Sequence, residues 1–306
     1  MRSEHEGICY SGYRAGQNPD TGDFPTVDQV AEDLRILSKR WAKIRIYDSG
    51  PHAELVLRAI EREGLDLEVL LGAYVRAEVN NPDCPWGAHY DDATLAKNVA
   101  SNEEEIQRAI ALAQRYPTLV GSVSAGNEAT VDWSGNLIPV ERMIHHVRTL
   151  KAAIAQPVTF CENHVPWMDK LAPLVPELDF ISVHSYPVWE YRSIEEALAV
   201  TDADHERVQA RYPGVKVAIT EAGWTTRSNG RGIEPWNASP ELQARYYAML
   251  SEWARTKGVL TYVFEAFDED WKGSDDPDEP EKHWGLFTID RRPKPAMRAV
   301  YPELVA

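Results

Sequence analysis

The sequence predicts a single (β/α)8 barrel. Short apolar, β-branched runs alternate strictly with helical patterns along 306 residues, and this alternation predicts parallel strands joined by right-handed crossovers. Eight such runs at this length predict closure into a barrel. A doubly wound open sheet is the alternative, but residues 10–16 read Tyr-Ser-Gly-Tyr-Arg-Ala-Gly and lack the Gly-x-Gly-x-x-Gly fingerprint of dinucleotide-binding sheets.

The strand runs are four to seven residues long and rich in Val, Ile, Leu and aromatic residues, which favours buried strands. They are predicted at Gly7–Tyr10, Lys43–Tyr47, Glu68–Tyr74, Leu119–Val123, Pro157–Phe160, Phe180–Val183, Val215–Thr220 and Leu260–Phe264.

The segments between these strands carry apolar residues at helical spacing. The seventh helix has clear boundary signals, because Ser239 and Pro240 stand at its start and Gly258 follows its end. The predicted helices are Val27–Trp41, His52–Glu63, Asp92–Arg115, Pro139–Ala155, Val165–Leu174, Ile194–Arg211, Pro240–Lys257 and Pro295–Val300.

We expect residues 1–306 to form one domain, because no low-complexity tract, Pro/Ser-rich linker or internal repeat divides the chain. Three cysteines without CxxC spacing argue against a disulfide framework and a structural zinc site. His145 and His146 lie on a predicted outer helix, so we expect neither a metal nor a cofactor.

Composition narrows the range of partners. The net charge of −16 and the absence of a basic stretch argue against nucleic acid. Ten Trp and thirteen Tyr residues offer flat rings that suit the faces of sugars. No apolar run is long enough to cross a membrane, and the N-terminus has no signal-peptide pattern. The chain as written is therefore expected to be a cytoplasmic monomer, or periplasmic or secreted if it was trimmed.

Two glutamates follow predicted strands. Glu128 comes shortly after the fourth strand, within Gly-Asn-Glu, and Glu221 ends the seventh strand, within Thr-Glu-Ala-Gly-Trp. Catalytic groups of barrels lie at the carboxyl ends of strands, so both acids fall on one face. Two facing carboxylates can serve as general acid and nucleophile on a glycosidic bond, and we expect them about 5–5.5 Å apart.

The residues around these acids resemble glycoside hydrolase family 17, a β-1,3-glucanase family of the retaining (β/α)8 clan. The matching segments are closer to bacterial and fungal members than to plant enzymes. The similarity runs from about Gly7 to Pro302. Five segments carry it: residues 7–10, 45–48, 126–128, 219–224, and the most specific block, 264–272 with 281–287.

The resemblance implies that Glu128 is the acid/base and Glu221 the nucleophile. It also implies a supporting charged cluster of Glu269, Lys272 and Glu281 near the nucleophile. A cation beside Glu221, either Arg45 or Lys272, would keep that carboxylate ionised.

Further residues are predicted to line the sugar site. The amide of Asn127 stands beside the acid, and His184 and Tyr186 follow the sixth strand. Aromatic rings suit stacking on sugars. The rings expected in the groove are those of Tyr10, Tyr47, Tyr186 and Trp224, with Trp236, Trp271 and Trp284 on loops of the same face.

The leading interpretation is an endo-acting retaining hydrolase of β-1,3-glucan. Transglycosylation by the same two glutamates is left open, because water and a sugar hydroxyl can both accept the glycosyl group. A related barrel acting on β-1,4 linkages is also left open, as is a non-catalytic glucan-binding barrel. Loss of either glutamate would mark the non-catalytic case, and both are present.

Overall fold

The computed structural model describes residues 2–85, 87 and 89–305. Within these residues, eight parallel strands pair in sequence order, and β1 closes the sheet against β8. The predicted (β/α)8 barrel is confirmed. The strands are β1 Glu6–Cys9, β2 Lys43–Ile46, β3 Glu68–Gly72, β4 Val120–Asn127, β5 Val158–Asn163, β6 Ile181–Ser185, β7 Val217–Ala222 and β8 Thr261–Val263.

Helices cover the outside of the barrel, and their ends follow the expected capping rules. Helix α6 has the Ser239 hydroxyl bonded to the amide of Leu242, and Gly258 adopts a left-handed conformation at its end. The helices are α1 Val27–Ser38, α2 Pro51–Glu63, α3 Asp92–Arg115, α4 Val140–Ala153, α5 Ile194–Arg211, α6 Pro240–Lys257 and α7 Pro295–Arg298. None of them is both long and apolar enough to cross a membrane.

One predicted helix is wrong. Residues Val165–Leu174 form a single 3-10 turn at Pro166–Met168 followed by turns, and a second 3-10 turn spans Val175–Glu177. Pro166, Pro173 and Pro176 remove backbone donors and clash with a continuous helix, so this crossover stays irregular.

Two apolar clusters hold the barrel together. The larger one packs strand residues such as Ile8, Ile44 and Leu71 against the helices. The smaller one joins Cys9, Leu70 and Tyr262 with Cys161, which lie on β1, β3, β8 and β5. Because side chains alternate along a strand, residues such as Leu70 point into the barrel while Leu71 points outward.

Several strands extend further than predicted towards their carboxyl ends. Strand β4 includes Asn127, β6 includes His184, and β7 ends after Glu221. Asn127, His184 and Glu221 therefore lie at the carboxyl ends of strands rather than on loops. Such placement fixes their positions within the closed sheet.

Candidate active site

Glu128 and Glu221 meet at the carboxyl ends of the strands. Glu128 directly follows β4, and Glu221 is the fifth residue of β7. A carboxylate oxygen of one lies within 4.8 Å of a carboxylate oxygen of the other. This separation fits direct attack, because inverting enzymes leave about 6.5–9.5 Å for a water molecule.

Glu221 is buried and held by two donors. The Arg45 guanidinium lies 2.5 Å from Oε1, and the Tyr186 hydroxyl donates to Oε2 at 2.6 Å. Burial alone would raise the pKa of Glu221, but His184, Arg45 and the Tyr186 hydrogen bond together lower it. This carboxylate is therefore ionised at neutral pH, as a nucleophile requires.

Arg45 links three strands beneath the two glutamates. Its guanidinium is buried and, besides Glu221, donates to the Thr220 carbonyl at 3.0 Å and to the side-chain oxygen of Asn127. It also stacks 4.6 Å from the ring of Tyr47. Of the two cations considered from the sequence, Arg45 is the one that contacts Glu221.

His184 bridges the glutamates from β6. Its Nδ1 lies 2.8 Å from Glu128 Oε1 and 3.5 Å from Glu221 Oε2, and its ring is fully buried. Burial opposes the charged ring, but Glu221, Cys161 and Glu128 raise the pKa of His184 to about 10.

The Arg45 guanidinium lies 3.3 Å from Nε2 of His184 and can only donate, so this contact is a hydrogen bond only when the ring is neutral. With a charged ring, both nitrogens carry hydrogen; with a neutral ring that accepts from Arg45, the hydrogen is on Nδ1. In both states, therefore, Nδ1 donates to Glu128.

Glu128 has an unusual backbone conformation. Its φ of 42° lies in the left-handed region, which a non-glycine residue adopts only when its surroundings impose it. Its side chain is 32% exposed, so it is reachable from solvent, unlike that of Glu221. The exposed side and the fixed backbone suit a group that exchanges protons with substrate and water.

Glu162, a residue that the sequence analysis missed, supports the chain just after Glu128. This fully buried acid lies near the end of β5 and accepts hydrogen bonds from the Thr130 amide at 2.8 Å, the Thr130 hydroxyl at 2.7 Å and the Val131 amide at 3.2 Å. Burial and the charge of Glu128 raise the pKa of Glu162 to about 7. The signal was present in the sequence, because an acid at the end of an apolar run is what identified the other two glutamates.

The predicted charged cluster forms around Lys272 and Glu265 rather than around the nucleophile. Lys272 binds Glu265 at 2.7 and 2.9 Å and Glu269 at 2.7 Å, and no contact with Glu221 is found among the described residues. Glu265, also missed in the sequence, is buried on the segment after β8. Glu269 further accepts a hydrogen bond from the Ser11 hydroxyl. This cluster therefore joins the segment after β8 to the segment after β1.

The pKa of Glu281, the third member of the predicted cluster, is affected by the charges of Glu128 and Glu221. Its side chain is half-buried. Burial, and then the charges of Glu128, Glu279 and Glu221, raise its pKa to about 7, although Lys272 opposes this. The ionisation of Glu281 therefore depends on the charges of both central glutamates.

The predicted aromatic platforms divide into two groups. Tyr10, Trp224 and Trp284 are 1% exposed and cannot present a ring face to a sugar. Tyr10 contacts Asp33, and Trp224 donates to the Asn237 carbonyl. The motif around Trp224 has a packing reason, since a side chain at Gly223 would clash with the Phe264 carbonyl.

Other rings remain accessible at the same end of the barrel. Tyr47, Tyr186 and Trp271 are half-buried, and Trp236 is 71% exposed. Loops after β3, β4 and β6 add exposed rings that the sequence analysis did not single out, namely Tyr74, Trp133 and Tyr191.

A family model, the BtgE/BtgC glycoside hydrolase domain, matches residues 7–285. The chain belongs to this family. The resemblance seen in the sequence is thereby confirmed at the level of a glycoside hydrolase family.

The chain is also similar to individual proteins and solved structures. A glucan 1,3-β-glucosidase of Arthroderma benhamiae is 26% identical over 300 residues, which cover 91% of this chain and 85% of that protein. Among solved structures, an endo-laminarinase from Formosa Hel1_33_131 has a TM-score of 0.83 and 24% identity, with 99% and 88% of the two chains covered. A family 17 β-1,3-glucanosyltransferase from Rhizomucor miehei has a TM-score of 0.67 and 23% identity, with 95% of each chain covered.

Proposed function

We propose that residues 1–306 form one catalytic domain that hydrolyses β-1,3-glucan internally with retention of configuration. The observation that carries the proposal is the approach of the Glu128 and Glu221 carboxylates to within 4.8 Å of each other. Glu221, kept ionised by Arg45 and Tyr186, is the nucleophile. Glu128, reachable from solvent and bonded to His184, is the acid/base.

The reaction proceeds by double displacement. Glu221 attacks the anomeric carbon while Glu128 gives its proton to the leaving glycosidic oxygen. A covalent glycosyl ester on Glu221 forms, and the leaving chain departs with a free hydroxyl. Glu128, now a carboxylate, removes a proton from water as the water attacks the anomeric carbon, and Glu221 is released.

The groups around Glu221 have a specific part in this cycle. Arg45 and Tyr186 stabilise the carboxylate before attack and after its release. When the ester forms, Glu221 loses its negative charge, and Glu128, which has given up its proton, becomes negative. The positively charged ring of His184 donates a hydrogen bond to Glu128 and stabilises this new charge. His184 therefore supports the ionised form of whichever glutamate carries the charge.

Support for a β-1,3-glucan comes from the relatives and from the chemistry of the site. The relative from Arthroderma benhamiae is named for action on 1,3-linked glucan, and one structural neighbour is named an endo-laminarinase. Half-buried rings of Tyr47 and Tyr186 beside the acids suit a neutral sugar. The net charge of −16 is compatible with an uncharged substrate.

Transfer to a sugar acceptor is the second candidate activity, and the ring of Trp133 favours it. Glu128 protonates the leaving group, so the leaving sugar and any acceptor sugar occupy the side of Glu128. Trp133, 42% exposed, stands on the loop that follows Glu128. An aromatic face there would retain an acceptor sugar in competition with water.

Product analysis separates these two activities. Laminari-oligosaccharides, with β-1,4- and β-1,6-linked glucans as controls, are incubated with the wild type and with Glu221→Gln. Hydrolysis predicts only shorter 1,3-linked products, whereas transfer predicts longer ones, and Trp133→Ala should lower the ratio of longer to shorter products. Equal products from wild type and Glu221→Gln would refute catalysis at this site. Separately, light scattering measures the molar mass in solution and so tests our expectation that the chain is a monomer.

A further inference from the structure

A second group of potential ligands contacts Ser185, which lies between His184 and Tyr186 in the chain. His164 follows β5, Glu190 lies on the loop after β6, and Asp204 belongs to α5. One ligand atom from each lies within 4.8 Å of the others. Because the three residues come from separate segments, their proximity is a property of the fold and shows no motif in the sequence.

The distances in this group are longer than those of well-formed N–H···O hydrogen bonds, which are about 2.7–3.2 Å. His164 Nε2 lies 3.4 Å from Asp204 Oδ1 and 3.9 Å from Glu190 Oε1, and no hydrogen bond of its ring is found in the described part of the chain. The residue is only 5% exposed, and Nε2 is the ring nitrogen that faces both carboxylates. A cation held between this nitrogen and the two acids would supply the close contact that neither carboxylate makes directly.

The same distances do fit coordination of a small cation. Tetrahedral zinc with bonds of about 2.0–2.1 Å places its ligand atoms roughly 3.3–3.4 Å apart. The His164 to Asp204 separation of 3.4 Å matches this value. Glu190, whose side chain is 38% exposed, needs only a small movement to close its 3.9 Å separation.

The surroundings also fit a binding site. Asp204 is oriented by the Ser185 hydroxyl, which donates to its other oxygen at 2.7 Å. Ligating carboxylates are commonly held in this way. The exposed side of Glu190 leaves a route for the ion and for a water ligand. Arg207, 3.8 Å from Asp204 and half-exposed, is the one competing cation within 4 Å of these carboxylates among the described residues.

Two other groups of similar composition are less suited. In the Glu128, His184 and Glu221 group, Arg45 already neutralises Glu221 at 2.5 Å. In the group of Glu103, His145 and His146, Arg142 binds Glu103 at 2.7 Å. The His164 group contains no such close guanidinium among the residues that the structure describes.

We propose that His164, Asp204 and Glu190 bind one divalent transition-metal ion, best matched by Zn²⁺, with water as the fourth ligand. The site is structural. It joins the end of β5 to α5 and to the loop that begins at Tyr186, the residue that donates to Glu221. Binding to the folded state alone would stabilise the protein by mass action.

Calorimetric titration of the chelator-treated full chain with Zn²⁺ near neutral pH tests this proposal. We expect one site per chain, an increase in Tm with Zn²⁺, and at least tenfold weaker binding in Glu190→Gln and His164→Gln. Glu195→Gln, an exposed residue of α5, and His145→Gln, from a competing group, should bind as the wild type does.

The replaced Glu190 side chain is partly exposed, so that variant decides the outcome even where His164→Gln fails to fold. Co²⁺ in place of Zn²⁺ should give the visible absorption of a tetrahedral site, and Glu190→Gln should lose it. Absence of Zn²⁺ binding, unchanged affinity in Glu190→Gln, or loss of binding in His145→Gln instead would overturn the proposal. None of these readouts depends on glucan hydrolysis, so the two proposals fail independently.

Discussion

Replacing Arg45 with methionine tests how Glu221 is kept ionised. The guanidinium and the Glu221 carboxylate approach to 2.5 Å, and both are buried. With their charge centres about 4 Å apart, the attraction is on the order of 4 kcal/mol at an effective dielectric constant of 20. A change of one unit in pKa corresponds to about 1.36 kcal/mol, so full loss of this attraction would raise the pKa of Glu221 by about 3.

The expected shift is smaller than this limit because His184 and Tyr186 still stabilise Glu221 in the variant. We expect the acid limb of the kcat/KM profile on laminari-oligosaccharides to move upward by about 1–3 pH units. The pH dependence of kcat/KM measures this directly. Arg245→Met, which removes an exposed pair with Glu195, is the matched control and should leave the limb in place.

A folded Arg45→Met variant with the wild-type acid limb would show that Arg45 does not set the charge of Glu221. Circular dichroism and Tm establish that the variant is folded. Arg45→Lys retains a positive charge but loses the planar fork, so its limb should lie between those of the wild type and Arg45→Met.

Three further outcomes are expected. Glu221→Ala should lower kcat by at least about 10⁴-fold while its far-ultraviolet spectrum stays native, because the lost group performs chemistry at the strand end; retained turnover would exclude its role. Glu281, whose pKa is raised to about 7, adds a negative charge near Glu128 above that pH. Glu281→Gln should therefore move the alkaline limb of kcat/KM to lower pH, and an unchanged limb would separate Glu281 from the acid/base. Burial opposes the ionisation of Glu78, but His146, Arg142 and Asn102 lower its pKa to about 2, so its contribution to stability is complete above pH 4.5 and is lost as pH falls towards 2. Glu78→Gln should lose about 1–3 kcal/mol in urea unfolding at pH 7 and less at pH 3, and equal losses at both would argue against this linkage.

The barrel was predictable because its parallel strands are buried on both faces and therefore appear as continuous apolar runs. The crossover at Val165–Leu174 was predicted wrongly because its apolar spacing is helical while its prolines forbid the hydrogen bonds of a helix. Apolar periodicity alone does not register that conflict. The proline positions in the sequence would have revealed it.

The candidate site was predictable where position in a strand decides the outcome. Glu128, Glu221, Arg45 and His184 all lie at the ends of strands, and the closed sheet brings them together. The partner of Lys272 was not predictable, because it depends on how the segment after β8 folds back. Burial of Tyr10 and Trp224 also depends on packing between loops, which residue type does not specify.

Trapping of the glycosyl-enzyme tests the central claim most directly. A 2-deoxy-2-fluoro laminaribiosyl fluoride slows both steps but the second more, so the covalent ester accumulates. Digestion and mass spectrometry should then find one added disaccharide on the peptide that contains Glu221, and none in Glu221→Gln. A label on another residue, or no label together with a first-formed α-anomeric product from laminari-oligosaccharides, would contradict double displacement at Glu221.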